Sequence, residues 1–304
     1  MKPVGEDKKK SKTIVVHRTS FVGIDVRLAE GVEIGPNCYI DGEISIGRGT
    51  RLVGGLTLLG KLWVGERCHI EPGVSLSALG EGASDDKSAT RFEDEVRVGA
   101  GAVIFQGLSV STGARIAPGT ILSRNVPPHA LVAGNPAVIR GYAYSSSAVR
   151  TVEARKAIVA ESPGVRECSV KGVSIHVFQR IEDMRGDLVV GEFLRNVPFQ
   201  PKRYFLVLDV PSSETRGEHA HRSCWQFLVC VKGSLAVVVD DGVHLEEIVL
   251  DKANVGLCIP PGVWGIQYKQ SADAVLLVFA SDYYDPSDYI RSYAEFLIER
   301  GVTK

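Results

Sequence analysis

Aliphatic residues recur at every sixth position along the first part of the chain, beginning at Val22. The series continues through Leu28, Ile34, Ile40, Ile46, Leu52, Leu58, Val64, Ile70 and Leu76. A second small or apolar series lies four residues further on in each hexad, at Val26, Val32, Cys38, Ile44, Thr50, Leu56, Leu62, Cys68 and Val74. Neither an α-helix nor an alternating strand has this period. The pattern predicts short strands stacked on the faces of a triangular solenoid, with both series pointing inward.

The six-residue register breaks after Leu76 and resumes at Phe92. It then continues through Val98, Ile104, Val110, Ile116 and Leu122. Residues 77–91 are therefore predicted to form a loop that leaves the coil. Insertions of this kind often mark the binding face of a solenoid. A tolerated surface excursion explains the loop equally well, so both interpretations stay open.

Beyond residue 166 the pattern changes to apolar runs separated by tight turns, with no helical segments between them. The Asp-Asp-Gly sequence at 240–242 lies between two such runs and predicts a β-hairpin. Several antiparallel strands in succession are typical of a sandwich or jelly roll. After Pro286, helical spacing of four apolar residues predicts a short amphipathic helix on the barrel. These residues are Tyr289, Tyr293, Phe296 and Leu297.

The 304 residues suggest two domains, since a domain usually takes roughly 100–200 residues. We predict an all-β protein in which a β-helix of hexapeptide repeats at 13–145 precedes a jelly-roll β-barrel at 166–304. Residues 146–165 are predicted to be a linker around one short helix. The lysine-rich segment 1–12 is predicted to be a disordered tail.

Composition excludes several classes of function. The formal net charge is -1, so no overall basic field exists to hold nucleic acid or an anionic membrane. No stretch approaches the ~18 apolar residues of a membrane span, and no signal peptide is apparent. We therefore expect a cytoplasmic protein. The six cysteines include no Cys-x-x-Cys pair, which argues against a disulfide framework and a cysteine zinc site.

Candidate chemistry concentrates at 216–233, where His219 and His221 alternate on one strand and so share a face. The spacing is that of the first cupin motif, but Gln226 occupies the position of the acid. The second motif, at 256–268, has Trp264 and Gly265 and no histidine. Two imidazoles and an amide are a poor ligand set for zinc or iron, so we predict a site without metal. A neutral imidazole suits proton transfer between carbons of an enediol.

The segment VGAGAVIFQGLSVSTGARIAPGTILSRNVPPHALVAGNPAVIRGY at 98–142 resembles the last coils of the left-handed β-helix acyltransferases, in particular the nucleotide-sugar N-acetyltransferases. The resemblance extends over 13–145 and implies a trimer with acetyl-CoA bound between coils. On this resemblance, acetyl-CoA is assigned to Gly101, Ala117, Asn135 and Pro136. Where the family often has a histidine base, this chain has its loop, and His69 is the nearest candidate.

The second half closely resembles the sugar 3,4-ketoisomerases, metal-free cupins that act on thymidine-diphosphate 4-keto-6-deoxyhexoses. The matching segments are KRYFLV (202–207), RGEHAHR (216–222), QFLVCVKGS (226–234), VVVDDG (237–242), LDKANVGLCIPPGVWGIQY (250–268) and VLLVFASDYYDPSDYIRSY (275–293). The resemblance implies that His221 is the general base that moves a proton between C3 and C4 of the sugar. It also implies that His219 orients His221 or shares this role.

The same resemblance implies a set of substrate-binding residues. Arg203 and Arg216 are assigned to the diphosphate, since a guanidinium matches phosphate oxygens. Gln226 and Trp264 are also expected to line the substrate-binding site. Many members have a Tyr-Tyr pair after Lys-Arg, whereas this chain has Tyr204 followed by phenylalanine. The tyrosines expected to replace the missing one are Tyr204, Tyr268 and Tyr283.

The order of the two halves resembles bifunctional ketoisomerase/N-acetyltransferases that make 3-acetamido-3,6-dideoxyhexoses for surface polysaccharides such as lipopolysaccharide O-antigens. The resemblance implies homotrimers or homohexamers. Three alternatives stay open: a ketoisomerase whose coil only trimerises the chain, a non-catalytic nucleotide-sugar-binding cupin, and a metal-dependent cupin oxygenase.

Overall fold

A computed structural model describes residues 13–77, 89–143, 162–211 and 214–302. The chain divides into two compact units, 1–147 and 148–304, each of which is described by itself. The predicted tail at 1–12 and the predicted linker helix, up to residue 161, lie outside the described residues.

The first unit is built from short strands that follow the hexad pattern. In chain order they are β1 (Val15–Val16), β2 (Phe21–Val22), β3 (Arg27–Leu28), β4 (Glu33–Ile34), β5 (Tyr39–Asp41), β6 (Ile44–Ile46), β7 (Arg51–Leu52), β8 (Thr57–Leu59), β9 (Leu62–Val64), β10 (His69–Ile70), β11 (Ser75–Ser77), β12 (Thr90–Phe92), β13 (Arg97–Val98), β14 (Val103–Phe105), β15 (Ser109–Val110), β16 (Arg115–Ile116), β17 (Ile121–Leu122), β18 (Ala130–Ala133) and β19 (Val138–Tyr142). Every third strand pairs in parallel, which gives three sheets along a β-solenoid. Among the described strands of this unit, only β18 and β19, at the end of the solenoid, pair antiparallel.

The solenoid interior confirms the two inward series. From Ile34 to Leu76 each aliphatic residue of the first series is buried, and so are their companions from Val32 onward. Thr50 is the polar member of the second series and is also fully buried. Its hydroxyl donates to the carbonyl of Gly65 at 2.8 Å and accepts from the amide of Cys68 at 3.1 Å. These bonds offset the cost of burying a hydroxyl in the coil.

The interruption of the coil is shorter than the sequence predicted. Ser77 ends β11, and Thr90 and Arg91 already belong to β12, so the prediction of a loop over the whole of 77–91 was wrong at both ends. Residues 78–88 lie outside the described residues. The strands on either side remain in register, because β12 pairs with β9 of the preceding coil and with β15 of the next.

The second unit is a barrel of antiparallel strands, as predicted. Its strands are β20 (Gly164–Glu167), β21 (Ser174–Val177), β22 (Arg180–Asp183), β23 (Gly186–Val189), β24 (Arg203–Leu208), β25 (Arg216–His221), β26 (Gln226–Lys232), β27 (Leu235–Asp240), β28 (Leu245–Leu250), β29 (Val255–Ile259), β30 (Trp264–Tyr268), β31 (Val275–Ala280) and β32 (Tyr289–Ile290). A six-stranded sheet has the order β20-β21-β29-β26-β31-β24, and a five-stranded sheet has the order β28-β27-β30-β25-β32. The β22–β23 hairpin is separate.

The two larger sheets of this unit enclose a core of aliphatic side chains. Alternate residues of β27, namely Leu235, Val237 and Val239, point into it and are buried. The predicted hairpin at 240–242 is present and connects β27 to β28 in register. The fold of this unit is therefore the cupin-like barrel that its alternating strands predict.

The C-terminal helix begins later than the sequence predicted. Asp285 caps a 3-10 turn at Pro286–Asp288, and Tyr289 then continues as strand β32. The helix α1 (Tyr293–Glu299) starts only after Ser292, whose side chain accepts from the amide of Glu295. The prediction that Tyr289 lies on this helix was therefore wrong, because a serine cap follows it and fixes the start of the helix.

Helix α1 packs on the outer face of the barrel, where its apolar side chains meet those of β30. Trp264 lies edge-on to Tyr293 at a centroid distance of 5.2 Å and also contacts Phe296. The hydroxyl of Tyr293 donates to Asp240 at 2.5 Å. Within the part of the chain that the structure describes, no helix is both long and apolar enough to span a bilayer.

Candidate active site

The two histidines of the cupin motif lie together at the end of strand β25. His219 and His221 project from the inner face of β25. His219 pairs directly with Gly265 of the neighbouring strand β30, which lines the same cavity. A bulge precedes His219, with left-handed backbone at Gly217 and Glu218. A Cβ at Gly217 would lie 2.6 Å from the carbonyl oxygen of Gly265, so only glycine fits there. The bulge sets the direction in which His219 projects.

The nitrogen atoms of the two imidazoles have different partners. Nδ1 of His219 lies 2.9 Å from the carbonyl oxygen of Gly217, and Nδ1 of His221 lies 2.7 Å from a carboxylate oxygen of Asp288. Both acceptors require a donor, so each Nδ1 carries a proton. The two Nε2 atoms face each other at 3.2 Å. In the neutral pair, therefore, both Nε2 atoms hold lone pairs.

Asp288 is a residue that the sequence reasoning missed. Its second oxygen accepts hydrogen bonds from the amide of Ser223 at 2.7 Å and from the Ser223 hydroxyl at 2.9 Å. Burial alone would raise the pKa of Asp288, but the bonds from His221 and Ser223 lower it overall. The carboxylate is therefore ionised at neutral pH and fixes the tautomer of His221.

Burial keeps both imidazoles neutral. Burial lowers the pKa of His219 to about 4. The hydrogen bond to Gly217 opposes this shift, and the positive charge of Arg291 adds to it. Burial also lowers the pKa of His221, although the hydrogen bond to Asp288 opposes that shift. A neutral imidazole with a lone pair on Nε2 is the form that can accept a proton from carbon.

Gln226 lies where sequence analysis placed it, beside the histidines. Its amide nitrogen is 3.0 Å from Nε2 of His221, to which it donates. Both histidines and Gln226 line one small cavity. Its remaining lining residues are Cys224, Ile259, Pro260, Val263, Gly265 and Gln267. The site thus combines two basic nitrogens, two amides and an apolar wall.

Tyr289 completes the cluster and was not identified as a site residue from the sequence. It pairs with His221 across the β25–β32 ladder, and its ring lies 4.4 Å from that of His221 and 4.9 Å from that of His219. Nη2 of Arg203 is 3.4 Å from the Tyr289 hydroxyl, and the guanidinium of Arg291 lies 4.6 Å from the ring centroid. The signal that could have revealed it was the SDYIR sequence within a segment that already resembled the ketoisomerases.

Arg203 and Tyr204 are neighbours in sequence but face opposite sides of the sheet. Arg203 pairs with Ala280, which pairs in turn with Gln226, so Arg203 projects toward the histidines. Its Nε atom is buried without a hydrogen-bond partner among the described residues. Tyr204 alternates to the other face and is 69% exposed.

The other aromatic residues proposed for the substrate site are not brought to the histidines. Trp264 and Tyr268 alternate with Gly265 and Gln267 along β30 and so face the outside of the barrel, where both are buried. Tyr268 donates to Glu247 at 2.6 Å. Tyr283 is 74% exposed, and the Lys202 ammonium lies 5.9 Å from its ring centroid. Trp264, Tyr268 and Tyr283 therefore do not lie beside the imidazoles.

Arg216 lies at the start of β25, on the same face as the histidines. It pairs with Gln267, which lines the cavity, and its side chain is exposed. An exposed guanidinium at the rim of a site is well placed to meet a phosphate.

A possible cation site among the described residues consists of His221, Cys224 and Asp288, whose ligand atoms lie within 4.8 Å of one another. The donor set fits a metal poorly. Nδ1 of His221 and Asp288 already bond to each other, and the other Asp288 oxygen accepts from Ser223. A cation would have to break these bonds, and three donors fall short of the usual four. A site without metal therefore stays our prediction.

In the first unit the predicted residues lie on the outer surface of the coil. His69 is half-buried on β10, and its Nε2 lies 2.9 Å from a carboxylate oxygen of Glu71. Gly101 and Ala117 lie on adjacent coils, after β13 and β16 respectively. Asn135 and Pro136 are exposed in the turn between β18 and β19. None of these placements tests the predicted binding of acetyl-CoA.

Comparison with known proteins finds similar sugar 3,4-ketoisomerases. The TDP-4-oxo-6-deoxy-alpha-D-glucose-3,4-oxoisomerase of Aneurinibacillus thermoaerophilus is 47% identical over 119 residues, which are 39% of this chain and 86% of that protein. The crystal structure of a 3,4-ketoisomerase from Helicobacter canadensis is 37% identical and covers 43% of this chain and 98% of its own, with a TM-score of 0.42.

A second kind of relative is an acetyltransferase. Serine acetyltransferase 4 of Arabidopsis thaliana is 31% identical over 123 residues, 40% of this chain. The match spans only 33%, or about a third, of that relative's length. Residues 171–301 match the family model described as FdtA: WxcM-like, C-terminal. Together with the 3,4-oxoisomerase relative, this match shows that the chain belongs to the FdtA (WxcM-like, C-terminal) family.

Proposed function

We propose that the protein is a bifunctional nucleotide-sugar enzyme. The barrel interconverts a thymidine-diphosphate 4-keto-6-deoxyhexose and its 3-keto isomer. The coil transfers an acetyl group from acetyl-CoA to the 3-amino sugar that an aminotransferase makes from the 3-keto product. The 3,4-oxoisomerase relative supports the first activity, and the solenoid with an acetyltransferase relative supports the second.

The pair of facing Nε2 atoms is the observation that carries the isomerase proposal. His221, backed by the Asp288 carboxylate, removes the proton from C3 and returns it to C4. His219 lies 3.2 Å away and shares that proton, since both Nδ1 atoms are already committed. The proton stays on one face of the sugar while the C3–C4 enediol exists.

Charged residues around the histidines suit the rest of the substrate. Arg216 is exposed at the rim, and we assign it to the diphosphate. Arg203 is half-buried beside Tyr289, its Nε–H has no hydrogen-bond partner among the described residues, and we assign it to the sugar oxygens instead. A guanidinium there stabilises the negative charge that develops when C3 loses its proton.

Proton NMR of the full chain with thymidine-diphosphate 4-keto-6-deoxyglucose in deuterated water tests the isomerase. We expect loss of the C3 proton signal and the appearance of a 3-keto sugar. A substrate that keeps its C3 proton indefinitely would refute the catalytic role of the histidines and would favour a non-catalytic nucleotide-sugar-binding barrel.

The coil has a second candidate function, as a scaffold that only assembles the chain into trimers or hexamers. The altered sequence at the site of the family's usual histidine favours it. Isothermal titration with acetyl-CoA distinguishes the two: we expect binding and acetyl transfer to a 3-amino-3,6-dideoxyhexose nucleotide. A chain that assembles but does not bind acetyl-CoA would be a monofunctional ketoisomerase.

A further inference from the structure

The proposed isomerisation moves two protons, and the histidine pair accounts for one. One proton passes from C3 to C4. The other passes between oxygens, because the hydroxyl at C3 becomes a carbonyl while the carbonyl at C4 becomes a hydroxyl. A second proton carrier must therefore face the two sugar oxygens.

The histidines are not equipped for the second transfer. Each Nδ1 is bound within the protein, to Gly217 and to Asp288. The remaining nitrogens, the two Nε2 atoms, are 3.2 Å apart, so a proton bound to either of them lies between both. Bringing a second proton there would place two positive imidazoliums side by side in a buried site, which desolvation and Coulomb repulsion oppose.

Tyr289 lies in contact with both imidazoles and carries a group that can exchange a proton with oxygen. Its ring is tilted against those of His221 and His219, at centroid distances of 4.4 and 4.9 Å. Nη2 of Arg203 approaches its hydroxyl oxygen at 3.4 Å. Because the guanidinium only donates, the phenolic O–H is left free to donate elsewhere.

We propose that the hydroxyl of Tyr289, held by Arg203, carries the proton between the two sugar oxygens. This inference rests on the proposed isomerase. As His221 takes the C3 proton, the C–H electron pair forms the C3–C4 double bond. The carbonyl oxygen at C4 then takes the phenolic proton, which gives the enediol and a tyrosinate beside Arg203.

The second half of the reaction restores both residues. The tyrosinate removes the proton from the C3 hydroxyl, and the O–H electron pair forms the C3 carbonyl. The electrons of the double bond take the proton back from the histidine at C4. No atom or electron is gained or lost by the protein, so the step requires no further reactant.

The other tyrosines near this part of the chain are excluded by their positions. Tyr204 and Tyr268 face away from the histidines, as strand alternation requires. Tyr284 contacts Tyr289 and the Arg203 guanidinium but has no described contact with an imidazole. Phe205 occupies the position of a tyrosine common in the related ketoisomerases, which leaves Tyr289 as the phenol beside the imidazoles within the described residues.

The variant Tyr289→Phe removes the hydroxyl and keeps the ring that packs on the histidines. We measure two rates in deuterated water with thymidine-diphosphate 4-keto-6-deoxyglucose: exchange of the C3 proton and formation of the 3-keto isomer. General acid–base groups contribute ~100- to 10,000-fold, so we expect isomer formation to fall at least ~100-fold. Exchange should fall much less, because the histidines still form the enediolate.

The control is Tyr39→Phe, which changes the same atom on the exposed surface of the first unit. It should keep both rates of the parent chain. An unchanged ratio of exchange to isomer formation in Tyr289→Phe would overturn the role of Tyr289, whether both rates persist or fall together. Failure of the parent chain to exchange or isomerise would instead refute the proposed function on which the inference rests.

Discussion

At the scale of single residues, the Asp288 carboxylate determines which nitrogen of His221 holds the lone pair that the proposed base requires. It holds the proton on Nδ1 and opposes the lowering of the His221 pKa by burial. Asp288→Asn offers an amide that can present either oxygen or nitrogen to Nδ1, so the tautomer is no longer fixed. We expect the isomerisation rate to fall ~100-fold or more, with the barrel still folded.

The pH profile shows whether Asp288 acts through His221. In the parent chain, burial lowers the pKa of both histidines, so kcat/KM should be flat above pH ~6.5 and fall only at lower pH. Asp288→Asn removes an influence that raises the pKa of His221, so the acid limb should move to still lower pH. The control is Asp251→Asn, at an exposed position. An acid limb that stays in place would contradict a positioning role for Asp288.

The same residues predict the response to metal removal. Nδ1 of His221 and a carboxylate oxygen of Asp288 are bonded to each other, so the candidate cation site among the described residues lacks a complete set of donors. We expect the isomerisation rate to be unchanged after dialysis against a chelator, with elemental analysis confirming that the metal is gone. Activity that disappears and returns on adding one divalent cation would contradict the prediction of a site without metal.

At the scale of elements, a buried carboxyl joins helix α1 to strand β27. Asp240 accepts from the Tyr293 hydroxyl and from the amide of Gly242, but burial raises its pKa to about 6. Its folded pKa lies above the ordinary value, so its stabilising contribution is present at low pH and is lost as pH rises through about 6. Raising the pKa of the Asp240 carboxyl from its ordinary value to about 6 corresponds to ~3 kcal/mol.

The variant Asp240→Asn keeps a neutral side chain at every pH. Between pH 4 and pH 7.5 the stability of the variant relative to the parent chain should rise, with its free energy of unfolding increasing by up to ~3 kcal/mol relative to that of the parent. Urea denaturation followed by tryptophan fluorescence measures this, because Trp264 packs on Tyr293. Asp251→Asn again serves as the control. A difference between variant and parent that does not change with pH would show that Asp240 titrates normally.

The elements that the sequence predicted best are those whose period is fixed by local geometry. The hexad series placed residues such as Ile40 and Ile70 inside the coil, and they are fully buried. The alternation of His219 and His221 likewise predicted their common face. The period of a pattern indicates which side of an element a residue faces, and this can be predicted without knowing which distant residues that side contacts.

The parts that the sequence did not predict depend on contacts between distant segments. Asp288 and Tyr289 reach the histidines because β32 pairs with β25 across 67 residues of chain from His221 to Asp288. Helical spacing after Pro286 was misleading, since the same residues also fit a turn, a short strand and a later helix. Trp264 was placed in the site by resemblance, whereas its strand register puts it outside the barrel.

At the scale of the whole molecule, each unit buries its own core, so the two proposed activities should be separable. The barrel has its own aliphatic core, and the coil buries its two inward series independently. A substitution in one site should therefore leave the other activity intact. His221→Asn tests this for the barrel, because asparagine cannot accept and return the C3 proton at Nε2. We expect isomerisation to be lost and acetyl-CoA binding to be unchanged.

The reciprocal variant is His69→Asn, on the outer surface of the coil. If His69 is the base for the sugar amine, acetyl transfer should fall ~100-fold or more at neutral pH while isomerisation keeps its parent rate. The loss should shrink at high pH, where the amine deprotonates without a base. Equal acetyl transfer in the parent and His69→Asn at every pH would remove His69 from the mechanism. Transfer would then depend on the amine's own pKa and on how the coil holds acetyl-CoA beside it.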